Sequence, residues 1–308
     1  YTAAVKDQQA AKTALDNVNI QIHQTRERTF SRESQGRYPI SFILRDGTSV
    51  IVRPVVSFKY NLEPFLIDYK NEKFIICFQE IEIDEIFLWE RPNYYDKKTS
   101  NGIPMWQIAN ARPQRLDINP CQYCEFWNLH MGCRFCEISS TFNLNKKTMI
   151  LDLKDIEETV YEALKENGRY TAIFLTGGSL IGENYNFDKE VDLYIKVLQA
   201  IGKNFGNFRF PSQLIGTAYS KEQLSRLYRE TGLMSYTADL EVLDKDLFRW
   251  ICPGKNYFVG YETWKQRLYC AVEIFGKGYV STGIVSGVEL AQPNGYKDEI
   301  CAIEQNLK

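Results

Sequence analysis

Short runs of alternating apolar and polar residues dominate the first third of the chain and predict strands. Two of the runs flank an Asp46-Gly47 pair, and two others flank a turn-like segment at residues 70–72. An aspartate–glycine pair between such runs favours a hairpin with a tight turn. The sequence therefore predicts two hairpins within a β-rich module at residues 30–95. The four runs are Tyr38–Leu44, Ser49–Val56, Phe65–Tyr69 and Phe74–Phe78.

Residues 1–30 lack helix breakers and are rich in Ala and Gln, so they are predicted to form a helix. Asn, Lys, Ser, Gly and Pro crowd residues 92–105, a composition typical of a linker or a long loop. We therefore predict an N-terminal domain over residues 1–110 that consists of this helix and the small β-rich module.

From residue 112 onward the pattern changes to apolar strands that alternate with helices of 10–15 residues. Such alternation indicates right-handed βαβ units and a parallel sheet. The predicted fold class is thus α/β. Residues 111–308 are predicted to form either an open sheet or a partial (β/α)6 TIM-like barrel. The sequence up to residue 308 shows no sixth β/α unit. The predicted strands are Arg115–Ile118, Thr171–Leu175, 208–216, Leu233–Val242 and Gly278–Val288, and the predicted helices are 154–167, 191–201, Lys221–Thr231 and 264–275.

Composition narrows the function classes only slightly. The 308 residues are 44% hydrophobic and 25% charged, which is ordinary for a globular protein, and the net charge of −2 gives no electrostatic signal for nucleic acid. We find neither a secretory signal nor an apolar run of about 18 residues that would span a bilayer. Half of the eight cysteines lie in one cluster, which favours a reducing, cytoplasmic compartment over a disulfide framework.

The clustered cysteines form two CxxC pairs, Cys121–Cys124 and Cys133–Cys136, separated by eight residues. Thiolates are soft ligands that select zinc, copper(I) or iron–sulfur clusters. A structural zinc site would use all four cysteines, but its two pairs are usually further apart in sequence. The cysteines also follow a predicted parallel strand, and active sites in α/β folds lie at that end of the strands. The other four cysteines, Cys77, Cys252, Cys270 and Cys301, are predicted to be buried small hydrophobes.

Two motifs give the chain a specific resemblance. The segment Cys133-Arg-Phe135-Cys136 has an aromatic residue before its last cysteine, and Thr176-Gly-Gly-Ser179 follows the second strand of the α/β region. In both respects residues 112–290 resemble the radical S-adenosylmethionine (SAM) superfamily. The resemblance implies a [4Fe–4S] cluster held by three cysteines, with one iron left open for SAM.

The spacing of the cysteines departs from the usual pattern of that superfamily. Most members place the first two cysteines close together, whereas here eight residues follow Cys124 and eleven follow Cys121 before Cys133. Longer gaps are known in atypical branches such as the elongator-like proteins, which carry an additional upstream cysteine. We predict Cys124, Cys133 and Cys136 as the iron ligands, with Cys121 replacing Cys124 as the alternative.

Candidate SAM contacts follow from chemistry and from the resemblance together. The backbone of Gly177 and Gly178 permits close approach to the SAM ammonium group because neither residue has a Cβ, and Ser179 completes this motif. A tight strand-to-helix turn is the alternative explanation of the glycine pair. Asp239 and Glu241 alternate on a predicted strand and therefore share one face, where they would accept hydrogen bonds from the ribose.

Other positions have weaker signals. The segment Gly283–Glu289 resembles the glycine-containing fifth-strand motif that packs on adenine, so Gly287 and Glu289 are predicted contacts, and Phe135 offers an apolar edge to the same ring. Lys255 is a candidate partner of the SAM carboxylate, and His130 is a candidate ligand or proton donor, but an ordinary structural role is at least as well supported for each. Phe126 and Trp127 are predicted to pack within the loop.

The resemblance also implies an activity. Reductive cleavage of SAM would give a 5′-deoxyadenosyl radical that abstracts hydrogen from a small-molecule or lipid-like substrate, in an oxygen-sensitive enzyme that takes electrons from a donor such as ferredoxin or flavodoxin. The fold does not specify the substrate, and no cobalamin-binding segment is evident. The alternative from a different class is a non-catalytic zinc-binding structural or interaction module built on the two CxxC pairs.

Overall fold

The computed structural model describes residues 2–5, 14, 41–51, 53–54, 65–79, 81–138, 149–184 and 186–306. The chain divides into two compact units. The first contains residues 1–97, 111–115 and 166–170, and the second contains residues 98–110, 116–165 and 171–308. The domain boundary between residues 110 and 111 stays a prediction. Within the described part, no helix has the length and apolar character needed to cross a membrane.

The first unit contains a seven-stranded sheet with the strand order β3-β2-β7-β6-β5-β1-β4. Its core consists of apolar side chains from the central strands, namely Phe42, Ile67, Ile76 and Ile86. The strands are β1 (Thr2–Val5), β2 (Ser41–Leu44), β3 (Ser49–Ile51), β4 (Arg53–Pro54), β5 (Phe65–Lys70), β6 (Lys73–Phe78) and β7 (Ile81–Leu88).

Both predicted hairpins are confirmed, with β2 antiparallel to β3 and β5 antiparallel to β6. In the first turn Gly47 has a φ of 89°, and the Asp46 carboxylate accepts a hydrogen bond from the Thr48 amide at 2.8 Å. The predicted helix over residues 1–30 is wrong at Thr2–Val5, because these residues pair with β4 and β5 and the sheet outweighs their local helix propensity. Apart from Ala14, which is helical, the rest of that prediction lies outside the described residues.

The α/β class is confirmed by a six-stranded sheet in the order β13-β12-β11-β10-β9-β8, with parallel pairing from β10 to β13. Neighbours in the sheet are also neighbours in sequence, as consecutive βαβ units require. The strands are β8 (Ala109–Arg112), β9 (Arg115–Ile118), β10 (Ala172–Leu175), β11 (Ser212–Ile215), β12 (Ser235–Thr237) and β13 (Val280–Ser281). The helices are α1 (Leu153–Leu164), α2 (Asp188–Gly202), α3 (Lys221–Glu230), α4 (Lys245–Ile251), α5 (Pro253–Phe258), α6 (Tyr261–Phe275) and α7 (Glu299–Asn306).

Helices α1 and α3 begin where side chains replace missing backbone partners. Asp152 accepts hydrogen bonds from the first turn of α1, and Ser220 and Gln223 form a reciprocal capping box at the start of α3. Ile156 and Val160 of α1 are fully buried, as their four-residue spacing predicts. These local signals explain why the predicted helices in this region occur close to their predicted positions.

The last two strands are shorter than predicted, and just beyond their ends side-chain bonds interrupt the backbone ladder. β12 ends at Thr237 and β13 at Ser281, instead of at residues 242 and 288. After these ends the Thr282 hydroxyl accepts a hydrogen bond from the Leu240 amide at 2.9 Å, and the Asp239 carboxylate accepts one from the Gly283 amide at 2.7 Å. Such side-chain bonds compete with regular strand pairing.

Candidate functional site

The four clustered cysteines lie on a loop that follows β9 and packs against the chain following β10. The Gly178 amide donates to the Cys121 carbonyl at 2.9 Å, and the Glu125 amide donates to the Ser179 carbonyl at 2.9 Å. A short 3₁₀ turn at Glu125–Trp127 continues the loop. The backbone after β10 therefore fixes the position of the cysteine loop, which we define as residues 121–136.

The glycine pair predicted from the sequence forms this contact. A Cβ on Gly178 would lie 2.1 Å from the Tyr123 carbonyl oxygen and 2.7 Å from Cys124 Cα. A Cβ on Gly177 would lie 2.9 Å from the Cys121 carbonyl oxygen. Only a residue without a side chain allows such an approach of two backbones. The glycine pair is therefore needed, at least in part, because the cysteine loop packs directly against its backbone.

Cys121 is separated in environment from the other three clustered cysteines. It is 0% exposed, and its Sγ donates a hydrogen bond to the Tyr123 carbonyl at 3.0 Å. Burial raises the pKa of this thiol to about 11. The acidic side chains Glu190 and Glu125 act on the thiol in the same direction.

Cys124, Cys133 and Cys136 form an electrostatically connected group. Burial raises the pKa of Cys124 to about 12 and also raises that of Cys136, and in both cases the neighbouring Cys133 adds to the increase. Cys133 therefore lies within electrostatic reach of both of the other thiols. All three residues are half-buried, whereas Cys121 is buried.

A fifth cysteine, which the sequence did not connect with the cluster, contacts Cys133. The neighbouring Cys252 side chain is the main reason that the pKa of Cys133 falls below its usual value. The Cys133 side chain in turn raises the pKa of Cys252 far above its usual value. Among the outlying cysteines, Cys252 and Cys77 are buried as predicted, whereas Cys270 and Cys301 are half-buried because they lie on surface helices.

Backbone hydrogen bonds join the cysteine loop to the junction of α4 and α5. The Arg134 amide donates to the Ile251 carbonyl at 2.9 Å, and the Gly254 amide donates to the Met131 carbonyl at 2.9 Å. The Arg134 side chain adds a bond from Nε to the Trp250 carbonyl at 2.8 Å. These bonds bracket Cys133 on one segment and Cys252 on the other, so the two residues lie on adjoining segments.

Lys255 lies one turn beyond Cys252 and joins the two predicted ribose contacts. Its Nζ donates to the Asp239 carbonyl at 2.7 Å and forms an ion pair with Glu241 Oε1 at 2.7 Å. Each side chain of the ion pair is only 14% exposed. Burial acts to lower the pKa of Lys255, but Glu241 and then Cys133 overcome this effect and raise it. Burial raises the pKa of Glu241, and Lys255 opposes that change.

The backbone at the two acidic residues differs from the predicted strand. Glu241 has a φ of 69°, in the left-handed region, and is held there by bonds from its amide to the Gly283 carbonyl and from the Val285 amide to its own carbonyl, both 2.9 Å. The alternation argument that placed Asp239 and Glu241 on one strand face is therefore wrong. Lys255 nevertheless contacts both residues.

Glu190 is a buried carboxylate that the sequence analysis missed. It lies in the first turn of α2, is 2% exposed, and accepts hydrogen bonds from the Leu180 amide at 2.9 Å and the Thr217 hydroxyl at 3.1 Å. The Tyr219 hydroxyl is a further donor. Burial raises the pKa of Glu190 to about 7, although these donors oppose the increase. Glu190 thereby ties the segment after β10 to the segment after β11.

The remaining predicted residues have varied environments. Phe135 is half-buried in the turn between Cys133 and Cys136, and His130 is exposed with a φ of 55°. Phe126 is buried and stacks on Phe258 at 5.4 Å between ring centroids, which confirms its predicted packing role. A Cβ on Gly132 would lie 2.4 Å from the Trp127 ring, so Trp127 also packs within the loop.

Gly287 and Glu289 lie in a turn rather than on the predicted fifth strand. Gly287 has a φ of 80° and precedes a 3₁₀ turn at Val288–Leu290. The Glu289 carboxylate accepts hydrogen bonds from the Leu243 amide at 3.2 Å and the Asp244 amide at 3.4 Å, and also from the Asn306 side chain. Glu289 therefore joins the loop before α4 to helix α7, a structural role that the sequence did not predict.

The half-buried thiols of the cysteine loop have the chemistry to hold an iron–sulfur cluster. In the described part of the chain, which includes every cysteine, no three His, Cys, Asp or Glu side chains converge as the ligands of one ion do. A zinc ion would need four sulfur atoms at about 2.3 Å from one point. A cluster binds each cysteine through a different iron, and its thiolates stand further apart. Cys124, Cys133 and Cys136 are the thiols that would hold such a cluster, because the Cys121 thiol donates its hydrogen bond to the Tyr123 carbonyl.

One cavity of about 430 Å³ lies in the second unit, near the starts of α2 and α3. Its wall includes Phe187 and Phe258, which also contact Phe126 of the cysteine loop. Basic and acidic residues balance each other around it. The charged lining residues are Asp188, Glu222, Arg226 and Arg267.

Comparison with known proteins extends these observations. No protein-family model matches the chain. The sequence is similar to bacteriochlorophyllide c C-7(1)-hydroxylase of Chlorobaculum limnaeum, with 25% identity over 233 residues, which cover 70% of this chain and 56% of the relative. The chain thus spans a little more than half the length of this curated relative.

Two solved structures show looser similarity. Methylornithine synthase (PylB) aligns with a TM-score of 0.44 and 17% identity, over 62% of this chain and 49% of that chain. A radical SAM methyltransferase from Sphaerobacter thermophilus aligns with a TM-score of 0.41 and 15% identity, over 74% of this chain and 59% of that chain. By sequence this chain is similar to a curated enzyme, and after one strand of its α/β sheet it carries the cysteine motif that resembles the radical SAM superfamily.

Proposed function

We propose that the chain binds a [4Fe–4S] cluster through Cys124, Cys133 and Cys136 and uses it with SAM to act on a small-molecule or lipid-like substrate. The cluster, when reduced, would supply the electron that cleaves SAM to a 5′-deoxyadenosyl radical capable of hydrogen abstraction. The sheet described above would then be the partial (β/α)6 barrel of this superfamily. A cytoplasmic location and an electron donor such as ferredoxin or flavodoxin belong to the same proposal.

The observation that carries the proposal is the contrast between Cys121 and Cys124. Cys124 lies within electrostatic reach of Cys133, whereas Cys121 is buried and donates its hydrogen bond to the Tyr123 carbonyl. Three neighbouring thiols on one loop, with a fourth turned away, match a cluster that keeps one iron free. Four equivalent thiols would be required by structural zinc.

The protein's own residues hold the loop and neutralise charge around it. Gly178 allows the backbone after β10 to pack on Tyr123, and Arg134 and Gly254 link the loop to the α4–α5 junction. The cation of Lys255 lies near Cys133, so it would offset part of the negative charge that three thiolates bring to the site. The half-buried positions of the thiols would limit the access of water and oxygen.

We propose the SAM contacts that the sequence predicted, and the surroundings of each residue indicate which of them are better supported. Asp239 and Glu241 stand near Cys133 through their shared partner Lys255, which supports their role as polar contacts. Gly177, Gly178, Ser179 and Phe135 flank the loop. Glu289 already accepts three hydrogen bonds, so we expect its role in holding the loop before α4 to be the larger one.

The substrate class is supported by the relative rather than by the site. The relative's name describes it as a hydroxylase of bacteriochlorophyllide c, and the present chain is 25% identical to it. A small organic substrate whose carbon–hydrogen bond is activated is therefore the class we propose. The cavity beside Phe187 and Phe258 has a volume of about 430 Å³, within the range of small-molecule sites.

The test is anaerobic purification of the wild type and four alanine variants, followed by iron, sulfide and zinc analysis. We expect a brown protein with about four irons per chain, which is lost in Cys124→Ala, Cys133→Ala and Cys136→Ala and kept in Cys121→Ala. A colourless protein with one zinc, lost equally in all four variants, would instead support the zinc-binding module. If Cys124→Ala keeps the cluster and Cys121→Ala loses it, the third ligand is Cys121 and not Cys124.

A further inference from the structure

The cavity near the starts of α2 and α3, about 430 Å³ in volume, has an aromatic part that adjoins the cysteine loop. Phe187 and Phe258 line it, and their ring centroids lie 6.4 Å and 5.4 Å from that of Phe126. Phe126 follows Cys124 by two positions. A ligand in this cavity would therefore place an apolar body beside the loop that carries the predicted cluster ligands.

The cavity lies where active sites are built in this class of fold. Asn186 and Phe187 belong to the chain between β10 and α2, and Ser220 belongs to the chain between β11 and α3. Active sites of α/β proteins form from the segments that follow parallel strands. The chain after β10 also makes the backbone contacts with the cysteine loop, so the cavity and the loop lie at the same end of the sheet.

Arg267 on α6 is a lining cation without an ionic partner among the residues that the structure describes. It is half-buried, and its Nη1 donates to the Ala218 carbonyl at 2.7 Å, with no further hydrogen bond to a described residue. By contrast, Arg226 in the same wall forms ion pairs with Asp192 at 2.8 Å and Glu230 at 3.1 Å. A guanidinium has five N–H donors, so most of those on Arg267 are available to a ligand.

The acidic residues of the wall limit the charge of that ligand. The Asp188 carboxylate accepts hydrogen bonds from Gln223 Nε2 at 2.7 Å and Asn186 Nδ2 at 2.9 Å, and Glu222 is exposed. The two acidic and the two basic side chains of the wall balance each other. The start of α3 adds the positive end of a helix dipole, which favours an anion. This balance suits a group with a single negative charge better than a phosphate dianion.

We propose that the cavity binds a small apolar monocarboxylate, with its carboxylate on the Arg267 guanidinium and its apolar body against Phe187 and Phe258. The inference names the substrate class of the proposed function and rests on that function. The planar fork of N–H groups on arginine matches the geometry of a carboxylate. An anion there would also offset the burial that lowers the pKa of Arg267.

The experiment measures the binding of three phenyl compounds to the anaerobically purified, iron-containing protein by isothermal titration calorimetry. The probes are hydrocinnamate, its neutral amide and phenyl phosphate, which share the aromatic ring and differ in the polar group. We expect hydrocinnamate to bind about tenfold more tightly than the amide, because only the carboxylate forms charge-assisted hydrogen bonds with Arg267. Phenyl phosphate should bind more weakly than hydrocinnamate.

Substitutions then assign the selectivity to one residue. Arg267→Gln should weaken the binding of hydrocinnamate about tenfold and leave that of the amide unchanged. Arg267→Lys keeps the charge without the planar fork, so its loss should be smaller. Arg226→Gln is the matched control: it removes the same charge from the same wall and should change hydrocinnamate binding less than Arg267→Gln does, because Arg226 already has carboxylate partners.

Three results would overturn the inference. The first is equal affinity for hydrocinnamate and its amide, or no binding of either. The second is an equal loss of hydrocinnamate binding in Arg226→Gln and Arg267→Gln. The third is tighter binding of phenyl phosphate than of hydrocinnamate, which would make the ligand a phosphate. If Arg267→Gln fails to fold, Arg267→Lys and the three probes still decide. Absence of iron from the wild type contradicts the proposed function instead, so the two failures are distinguishable.

Discussion

Glu190 is a buried carboxylate and Glu241 a half-buried one, and each lies within electrostatic reach of a predicted cluster ligand, yet their partners differ. Glu190 acts on Cys124, and Glu241 acts on Cys133. Glu190 accepts hydrogen bonds only from uncharged groups among its described partners, which are Leu180, Thr217 and Tyr219. Glu241 instead forms an ion pair with Lys255 at 2.7 Å.

Glu190 and Glu241 thus show two ways in which a carboxylate is accommodated near the cysteine loop. A buried charge is costly unless it is paired or hydrogen-bonded. With no cation beside it, Glu190 has a pKa raised to about 7 by burial, so near neutral pH a large fraction of it carries a proton. Lys255 opposes the same effect of burial at Glu241. We therefore expect the Glu190 region to respond to pH and the Glu241 region to respond to removal of its cation.

The largest effect is expected from Lys255→Met. The substitution leaves Glu241 half-buried without its cation, and we expect a loss of about 3 kcal/mol in the free energy of unfolding. Urea denaturation of the apoprotein under anaerobic conditions measures it. The matched control is Lys245→Met, which breaks the exposed pair with Glu262 and should cost at most about 0.5 kcal/mol.

The double variant Lys255→Met/Glu241→Leu sharpens the same point. Replacement of a buried ion pair by apolar side chains is often close to neutral, so we expect the double variant to recover most of the lost stability. Equal costs for the single and double variants would show that the aliphatic stem of Lys255 matters more than its charge.

Substitution of Gly178 or Gly283 by alanine tests how tightly the backbone packs near Glu190 and near Glu241. In Gly178→Ala the new Cβ meets the Tyr123 backbone at 2.1 Å, whereas in Gly283→Ala it meets the Asp239 carboxylate at 2.6 Å. Backbone cannot move cheaply, but a side chain can rotate. We expect losses of about 3 kcal/mol for Gly178→Ala and about 1 kcal/mol for Gly283→Ala, both by urea denaturation. The reverse order would mean that the cysteine loop yields more easily than the Asp239 turn.

The Glu190→Gln variant tests the pH dependence. The folded pKa of Glu190 is raised from 4.5 to about 7, so its favourable contribution is fully present below about pH 4.5 and is lost as the pH rises through about 7. The stability of the wild type relative to Glu190→Gln should therefore fall by about 2–3 kcal/mol between about pH 4.5 and 8. A stability difference that does not vary with pH would contradict the raised pKa.

The smallest effect is expected from Tyr219→Phe, which removes one of the donors to Glu190. Because that hydrogen bond lowers the pKa of Glu190, its loss should raise this pKa further and shift the pH-dependent loss of stability upward. At neutral pH we expect a cost of about 1 kcal/mol. The pH series used for Glu190→Gln measures both quantities, and Tyr228→Phe provides a control tyrosine, since its ring packs on Phe275.

Local signals in the sequence were sufficient for much of the fold. The hairpin around Gly47 followed from turn chemistry, and the helix with Ile156 and Val160 followed from its four-residue spacing. Both depend on residues a few positions apart. The ends of β12 and β13 could not be predicted in this way, because the Asp239 and Thr282 side chains that replace the ladder are paired only in the folded chain.

The site was predictable where chemistry is concentrated and not where distant segments meet. The cysteine loop was found from its two CxxC pairs and Gly178 from its glycine motif and the family resemblance, although their assignment as ligands and SAM contacts stays a prediction. Nothing near Cys252 in the sequence points to Cys133. Glu190 had a usable signal: it precedes Tyr194 and Leu198 at four-residue spacing, which places it on the apolar face of α2, but an acid in a first helical turn usually faces solvent.

The hydrogen bonds from Arg134 to Ile251 and from Gly254 to Met131 also bear on how the protein is made. They join segments that lie about 120 residues apart, and a ribosome needs roughly 6–24 s to add that length. During this interval the cysteine loop has left the ribosome without the α4–α5 junction that completes its surroundings. Its three thiols would then be exposed on a nascent chain, open to oxidation or to stray metal ions. Cluster delivery that waits for the second segment would therefore meet a finished site, whereas earlier delivery would meet a bare loop.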